Sequence, residues 1–381
     1  MKTVLHLERK FTSNTETFIV NQVNTINNFN VVVATIYSTG ILHCDKTVIT
    51  PQHISYISRS AKYLSRENAD EMRAQLDRFS IGLVHCHYLV DAIAFRSLTK
   101  QLNVPKICSA YGYDVSSFPN KYFGLAKHFY RAIFEEYDYF LAMSEDMKKD
   151  LLALGCPDGK IIVHYHGIDT SRFYNSQRKY TLEDRIARIL TVGTLEEKKA
   201  QHLVVRALGL LKTKYKMGNF EYHLAGSGAF ESVIREEARK YDLSNNIVFH
   251  GYLPHYGVEL KNLYDSSDIF VHPSISLEDN DKEGIPGTIV EAMASGLPVI
   301  SSRHAGIPSI IQDKVHGLLC AERDVEGLAE AFHLLLTDGK LREKLGRSGQ
   351  EKAMRELDIK AGTRELENIY ARAIDKSTRQ N

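Results

Sequence analysis

Residues 283–301 read E-G-I-P-G-T-I-V-E-A-M-A-S-G-L-P-V-I-S: a polar loop, a short helix and then a buried strand. Pro286 and Gly287 stand at the expected first turn, where a missing proline N–H costs nothing. Gly296 suits the position just past the helix end, and Pro298 enforces the stop. A loop entering a helix N-terminus offers free backbone N–H groups and a partial positive charge, which together suit a phosphate. Two carboxylates bracket that end, Glu283 before it and Glu291 inside the helix. A phosphate joined to hydroxyl-rich groups fits such a site, and a nucleotide-sugar has that chemistry.

Working outward, the chain of 381 residues is long enough for two domains. Lys and Arg number 48 against 47 for Asp and Glu, so no bulk field favours nucleic acid or an anionic membrane. Residues 1–10 have too short an apolar run for a signal peptide, and no run approaches the roughly 18 apolar residues of a spanning helix. Five cysteines, odd in number and without a C-x-x-C pair, predict reduced thiols and a cytoplasmic setting.

Short β-branched runs alternate with amphipathic stretches, which predicts parallel sheets with helices on both faces. Strands are expected near 3–7, 30–35, 81–85, 105–109, 137–142 and 160–164. A second set is expected near 189–192, 222–224, 246–249, 268–272, 298–301 and 317–320. Ser144 reads as a helix N-cap and Gly155 as that helix's close. The polar stretch 171–185 reads as a linker between an N-terminal domain, 1–170, and a C-terminal one, 186–358. Doubly wound units bind ligands at the carboxyl ends of their strands, so a central cleft faced by both domains is the expected site.

The residues 283–301 resemble the E-x7-E signature of glycosyltransferase family 4, retaining enzymes of the GT-B fold with two Rossmann-like domains. Val192-Gly193-Thr194-Leu195 with Lys198-Lys199-Ala200 resembles the family's phosphate loop, V-G-R-L…K-G. His166-Gly167-Ile168-Asp169 resembles its crossover, Leu224-Ala225-Gly226-Ser227-Gly228 its G-x-G loop, and Phe249-His250-Gly251-Tyr252 the F-x-G that follows. Residues 302–319, with A-G-I-P-S-I-I and H-G-L-L, resemble G-G-I-P-E…n-G-l-L. Weaker N-terminal matches are T-E-T-F-I at 15–19, V-H-C-H-Y at 84–88, S-A-Y-G-Y-D at 109–114 and A-M-S-E-D-M at 142–147. These forms are most similar to enzymes of exopolysaccharide, capsule or lipopolysaccharide synthesis.

The resemblance implies a sugar moved from a UDP- or GDP-linked donor to a hydroxyl of a glycan or lipid-linked oligosaccharide. The implied route is front-face: the leaving phosphate accepts the incoming hydroxyl's proton. Lys199 would set a charge against the departing diphosphate. The amides of Gly284, Ile285, Gly287 and Thr288 would hold phosphate and sugar oxygens, with Glu283 on sugar hydroxyls and Glu291 on the ribose. Gly193, Thr194, Gly226 and Tyr252 would line the diphosphate and base. Glu16, His85, His87, Tyr111 and Asp114 would lie on the acceptor side, with His87 in the cleft and in the catalytic set. The last segment, 359–381, would cross back to the first domain. No cofactor is implied.

Two positions depart from the family. Thr194 replaces the usual arginine and brings no charge, so Lys198 or Arg303 would have to substitute, or leaving-group stabilisation weakens. Tyr111 replaces the histidine that meets the transferred sugar, which alters donor choice or geometry. Same-fold epimerase or phosphorylase chemistry, or a non-catalytic sugar-nucleotide-binding subunit, are the alternatives. His85-x-His87 places two imidazoles on one face of a strand, but a metal would need a third ligand that the sequence does not locate. Asp279-Asn280-Asp281 has the D-x-D form and reads as an acidic loop, since the resemblance implies metal-independent chemistry. Residues 121–131 mix bases and aromatics at helical spacing, as a half-buried helix or one resting on a membrane surface would.

Overall fold

Strands buried on both faces read as near-continuous apolar runs, and two sets of such runs form the two sheets of this protein. The computed structural model describes residues 1–11, 17–38, 44–51, 64–120, 126–182, 185–278 and 282–380. The chain divides into two compact units, Met1–Gly167 with Ile359–Asn381, and Ile168–Asp358.

In the first unit seven parallel strands are β1 (Thr3–Phe11), β2 (Asn30–Ser38), β3 (Thr47–Ile49), β4 (Ile81–His87), β5 (Lys106–Ser109), β6 (Tyr139–Ala142) and β7 (Ile161–Val163). Their order is β3-β2-β1-β4-β5-β6-β7. Alternation along the strands gives the sheet two apolar faces. Leu5, Leu7, Val84 and Cys86 belong to one core, and Val4, Val31, Val33 and Leu83 to the other. The second face is covered by the helix Ile359–Gln380, which buries Leu366, Ile369, Tyr370 and Ala373 at helical spacing. Ser144 caps the helix Glu145–Ala153 by accepting from the Met147 amide.

In the second unit the strands are β8 (Ala187–Val192), β9 (Phe220–Ala225), β10 (Ile247–Gly251), β11 (Ile269–His272), β12 (Val299–Ser302) and β13 (Leu318–Cys320). The order is β10-β9-β8-β11-β12-β13, again with parallel pairing. Each sheet therefore reverses its winding once, between β1 and β4 and between β8 and β11. Ligands of doubly wound sheets bind outside the carboxyl ends at such switch points.

Two expectations need correction. β3 pairs with β2 at the sheet edge and was too short to read from sequence. The stretch 171–185 is part of the second unit, not a linker. Arg178 donates to the carbonyls of Ser295, Ser267 (2.8 Å) and Tyr264 (2.6 Å), the C-terminal ends of helices Gly287–Ala294 and Val258–Ser266. A guanidinium there meets orphan carbonyls and the negative ends of two helix dipoles. Tyr180 adds a bond to the Gly296 carbonyl at 3.0 Å. The polar composition of this stretch reflects acceptors on backbone, which no side-chain pattern reveals. Replacing Arg178 with Met, which keeps the apolar stem, is expected to cost about 3 kcal/mol in denaturant unfolding. A loss below about 0.5 kcal/mol, the usual range of surface changes, would mean that the stretch is a dispensable tether.

Candidate functional site

At the switch point of the second sheet, Gly193 follows β8 with φ +151° and Gly226 follows β9 with φ +149°. A Cβ on Gly226 would lie 1.8 Å from the Gly193 carbonyl oxygen, so two strand-end loops touch backbone to backbone. Only glycine permits that approach. A Cβ on Gly193 would in turn meet the His272 ring at 3.6 Å and the Lys199 stem at 4.0 Å.

Lys199 Nζ lies 2.6 Å from Glu283 Oε1, with both side chains largely buried. His272, at the end of β11 and fully buried, sits 3.7 Å from the other Glu283 oxygen. Burial pushes the Glu283 carboxyl up, but the Lys199 charge and the His272 contact outweigh it and hold it well below the usual carboxylate range. Burial lowers His272. Glu283 is thus held as a carboxylate against Lys199. Nearby, His272 Nδ1, Ser274 Oγ and Thr288 Oγ1 are buried without a hydrogen-bond partner among the described residues. Buried polar atoms are rarely left so.

The helix Gly287–Ala294 starts at Pro286, with the Ile289 amide closing its first turn on the Pro286 carbonyl at 3.1 Å. Gly296, φ +77°, ends it in the left-handed conformation. Gly284 and Gly287 stand on the approach and first turn, and Ile285 is buried. Glu291 is also buried. Its Oε1 meets His255 Nε2 at 2.8 Å and its Oε2 accepts from Tyr264 Oη at 2.7 Å. A ribose at Glu291 would have to take over one of those bonds. Tyr252 is exposed on its loop. Thr194 is exposed, and its carbonyl is held by Gln201 at 2.9 Å. Of the candidate replacement cations, Arg303 is paired with Asp313 at 2.7 Å and Lys198 lies 4.0 Å from Glu196.

In the first unit, the switch point gathers His6 of β1 with His85 and His87 of β4. Candidate ligand atoms of the three lie within 4.8 Å of one another, so the third imidazole that sequence could not locate is His6. The nitrogens already have partners. His6 Nδ1 meets His87 Nε2 (2.9 Å), and His87 Nδ1 meets Tyr111 Oη (2.8 Å). His85 reaches Tyr370 Oη (2.5 Å) and Ser109 Oγ (2.8 Å). The His85 and His87 rings stack at 4.5 Å, so their in-plane lone pairs do not converge on one point. Burial lowers His6 to about 3 and holds His85 and His87 well below the ordinary histidine range. The cluster is a neutral hydrogen-bonded network.

The acceptor-side candidates of this unit sit in and around that network. His85 and His87 are fully buried inside it, and Tyr111 is the hydroxyl attached to the His87 end. Asp114 is fully buried and accepts from the amides of Leu89 (2.9 Å), Tyr111 (3.1 Å) and Gly112 (3.1 Å). It shapes the loop under Tyr111. Tyr111 also packs on Phe18 (4.9 Å) and on Tyr88 (4.7 Å), a residue held at φ +68°. Glu16, residues 279–281 and 121–125 lie outside the described residues.

Residues 174–352 match the family described as Glycosyl transferases group 1, and residues 26–172 match Glycosyltransferase Family 4. Between them the two glycosyltransferase models match most of the chain, the family 4 model its N-terminal part and the group 1 model its C-terminal part. It is 37% identical over 211 residues to the amylovoran biosynthesis glycosyltransferase AmsK of Erwinia amylovora, covering 55% of this chain and 50% of that one. It is 35% identical over 212 residues to the putative colanic acid biosynthesis glycosyltransferase WcaL of Escherichia coli (strain K12), covering 55% and 51%. The chain thus spans about half the length of these curated relatives. A glycosyltransferase from Rickettsia africae superposes with a TM-score of 0.78 at 20% identity, covering 98% of each chain. Anabaena Alr3699/HepE, solved in complex with UDP and glucose, gives 0.77 at 14% identity, covering 97% and 100%. These likenesses establish the GT-B fold. Among the described residues no helix is long and apolar enough to cross a membrane.

As site residues, the sequence reading missed His6, His255, His272 and His304. His272 carried a signal, since it ends a predicted strand at the sheet's ligand-binding edge. His255 lies in a loop with no pattern to single it out. Burial lowers the His255 pKa, but its bond to Glu291 outweighs this and leaves it above the ordinary value. A raised folded-state value stabilises fully below about pH 6.5 and is lost as pH rises through it. The melting temperature of His255→Gln should therefore fall further below wild type at pH 5.5 than at pH 8.5. An equal gap at both values would remove the charge from that pair.

Proposed function

We propose that this chain is a retaining glycosyltransferase that moves a sugar from a UDP- or GDP-sugar to a hydroxyl of a glycan or lipid-linked oligosaccharide. The setting is surface polysaccharide synthesis. The observation that carries the reading is the Lys199–Glu283 pair at the β8/β11 switch point, bordered by buried polar atoms without partners. The named roles of the exopolysaccharide relatives and the UDP-bound Anabaena neighbour support it.

In this reading the diphosphate rests on the loop amides at 284–288 and on Lys199. Glu283 accepts from sugar hydroxyls, and Glu291 exchanges His255 for the ribose. The glycosidic bond to the phosphate oxygen breaks, and the acceptor oxygen attacks from the same face. The leaving phosphate oxygen takes that hydroxyl's proton, so no side-chain nucleophile is required. Charge placed in advance against the leaving group is commonly the largest catalytic contribution. Charge neutralisation is assigned to Lys199 and the loop amides, with no resident metal.

A thermal-shift series with nucleoside diphosphates and their sugars identifies the donor, since binding raises apparent stability by mass action. Lys199→Ala is then expected to cut turnover roughly 100-fold or more, the usual loss for one such donor. Undiminished transfer by Lys199→Ala and Glu291→Ala together would falsify the assignment.

A second reading, nucleotide-sugar binding without transfer, is favoured by one observation: Thr194 replaces an arginine and Arg303 is committed to Asp313. Thr194→Arg separates the two. In an active enzyme it should raise kcat about tenfold by adding a phosphate donor. Tight binding with no product from wild type, and transfer only by Thr194→Arg, would establish the binding subunit instead.

A further inference from the structure

We infer that His304 and Glu322 form a clasp that sets the position of Glu283, making His304 a positioning residue for the transferred sugar. The inference rests on the donor site proposed above. His304 follows β12, which pairs with β11, and Glu322 follows β13, which pairs with β12 on its other side. The loop carrying Glu283 leaves from the end of β11, so both side chains stand at the same edge.

The bonds run in one direction. The Glu283 backbone N–H donates to His304 Nε2 at 3.1 Å. A backbone amide is always the donor, so Nε2 carries no proton and the neutral ring holds its hydrogen on Nδ1. That Nδ1–H donates to Glu322 Oε1 at 2.8 Å. Glu322 then accepts from the Ser276 amide at 2.8 Å and the Ser276 hydroxyl at 3.2 Å. The sequence Ser276–Glu322–His304–Glu283 closes a ring that ties the two sides of the signature loop together. His304 is fully buried, so water does not replace it as the acceptor for the Glu283 amide.

The first side is fixed further. Ser301 and Ser302 on β12 donate to the carbonyls of His272 (2.6 Å) and Ser274 (2.5 Å), and Arg323 donates to the Ser276 carbonyl at 2.8 Å. The second side takes its backbone bond to the sheet edge from His304. The Glu283 carboxylate is already committed to Lys199, so a loose backbone there would misplace both charges. A carboxylate that must meet sugar hydroxyls tolerates little displacement, and an error near 1 Å can cost roughly 100-fold in rate.

Hydrogen–deuterium exchange of the full chain without ligand tests the clasp directly. In His304→Leu, exchange in peptides spanning 282–290 should quicken about tenfold, a loss of roughly one neutral hydrogen bond. Peptides from the first unit should be unchanged. His304→Gln, whose amide oxygen can accept in place of Nε2, should restore slow exchange. In transfer assays His304→Leu should lower kcat about 10–100-fold while affinity for the free nucleoside diphosphate stays within about twofold. His304→Gln should recover most of that. Unchanged exchange in His304→Leu, or no advantage of Gln over Leu, overturns the inference. If His304→Leu does not fold, Glu322→Gln replaces it and should quicken exchange around Ser276 and Glu283 alike; unchanged exchange there also overturns it. The exchange measurements decide the clasp even if no donor is turned over, so its failure is distinct from failure of the proposed reaction.

Discussion

The second unit is organised around an ion pair that does little for stability. Lys199 and Glu283 meet at 2.6 Å with side chains only 17% and 7% exposed, at the edge where β8 and β11 diverge. Taking two charges out of water costs several kcal/mol each, and their attraction only about repays it. A well-packed apolar pair would hold the loops as well. The structure nonetheless assembles much around them: two glycine loops in backbone contact, His272 wedged beside the carboxylate, and Arg178 tying down the far end of the helix that follows. Such arrangements of perturbed groups in a strand-end crevice are characteristic of functional sites.

The first unit makes its corresponding edge from neutral groups. Its switch point holds imidazoles and hydroxyls in a chain from Tyr111 through His87 and His6 to Tyr370 and His85, with Ser109 at the end. Each neutral imidazole has one donor and one acceptor nitrogen, so fixing one tautomer fixes its neighbours. Tyr370 belongs to the final helix, so the chain's last segment sets the hydroxyl geometry at the other end. Tyr88 beside Tyr111 sits at φ +68°, an arrangement of the order of 1–3 kcal/mol above normal backbone. Strain of that size persists where surrounding structure imposes it.

Much of this was legible in the sequence. Parallel strands covered on both faces leave uninterrupted apolar runs, so twelve of the thirteen strands among the described residues could be located, and β3, a three-residue edge strand, could not. The helix at 287 was readable because proline and glycine punctuate both ends. Side-chain-to-carbonyl bonds were not readable: Arg178 looked like a linker residue because its partners are backbone atoms of distant helices. The histidines were missed for a related reason. His6 and His85 become neighbours only through the β1–β4 register, which depends on the winding order of the sheet. His304 looked like a loop residue until the strand order set it beside the loop of Glu283.

Thr194 and the ion pair bear on each other. With an arginine at 194 a diphosphate could bind and leave Lys199 on Glu283. With threonine, the proposed donor must draw on Lys199 itself, in competition with the carboxylate. A diphosphate carries more charge than Glu283, and the loop amides at 284–288 add to its side of the balance. As Lys199 turned toward phosphate, Glu283 would lose part of the charge that outweighs its burial. A buried carboxylate stripped of its partner is a strong acceptor, because any hydrogen bond it gains replaces lost solvation. The sugar hydroxyls are the donors at hand. Binding of the phosphates would thereby strengthen the grip on the sugar, coupling the two ends of the donor through one lysine. A rigid Glu283 backbone is what that coupling requires, since a loop free to follow Lys199 would carry the carboxylate away from the sugar.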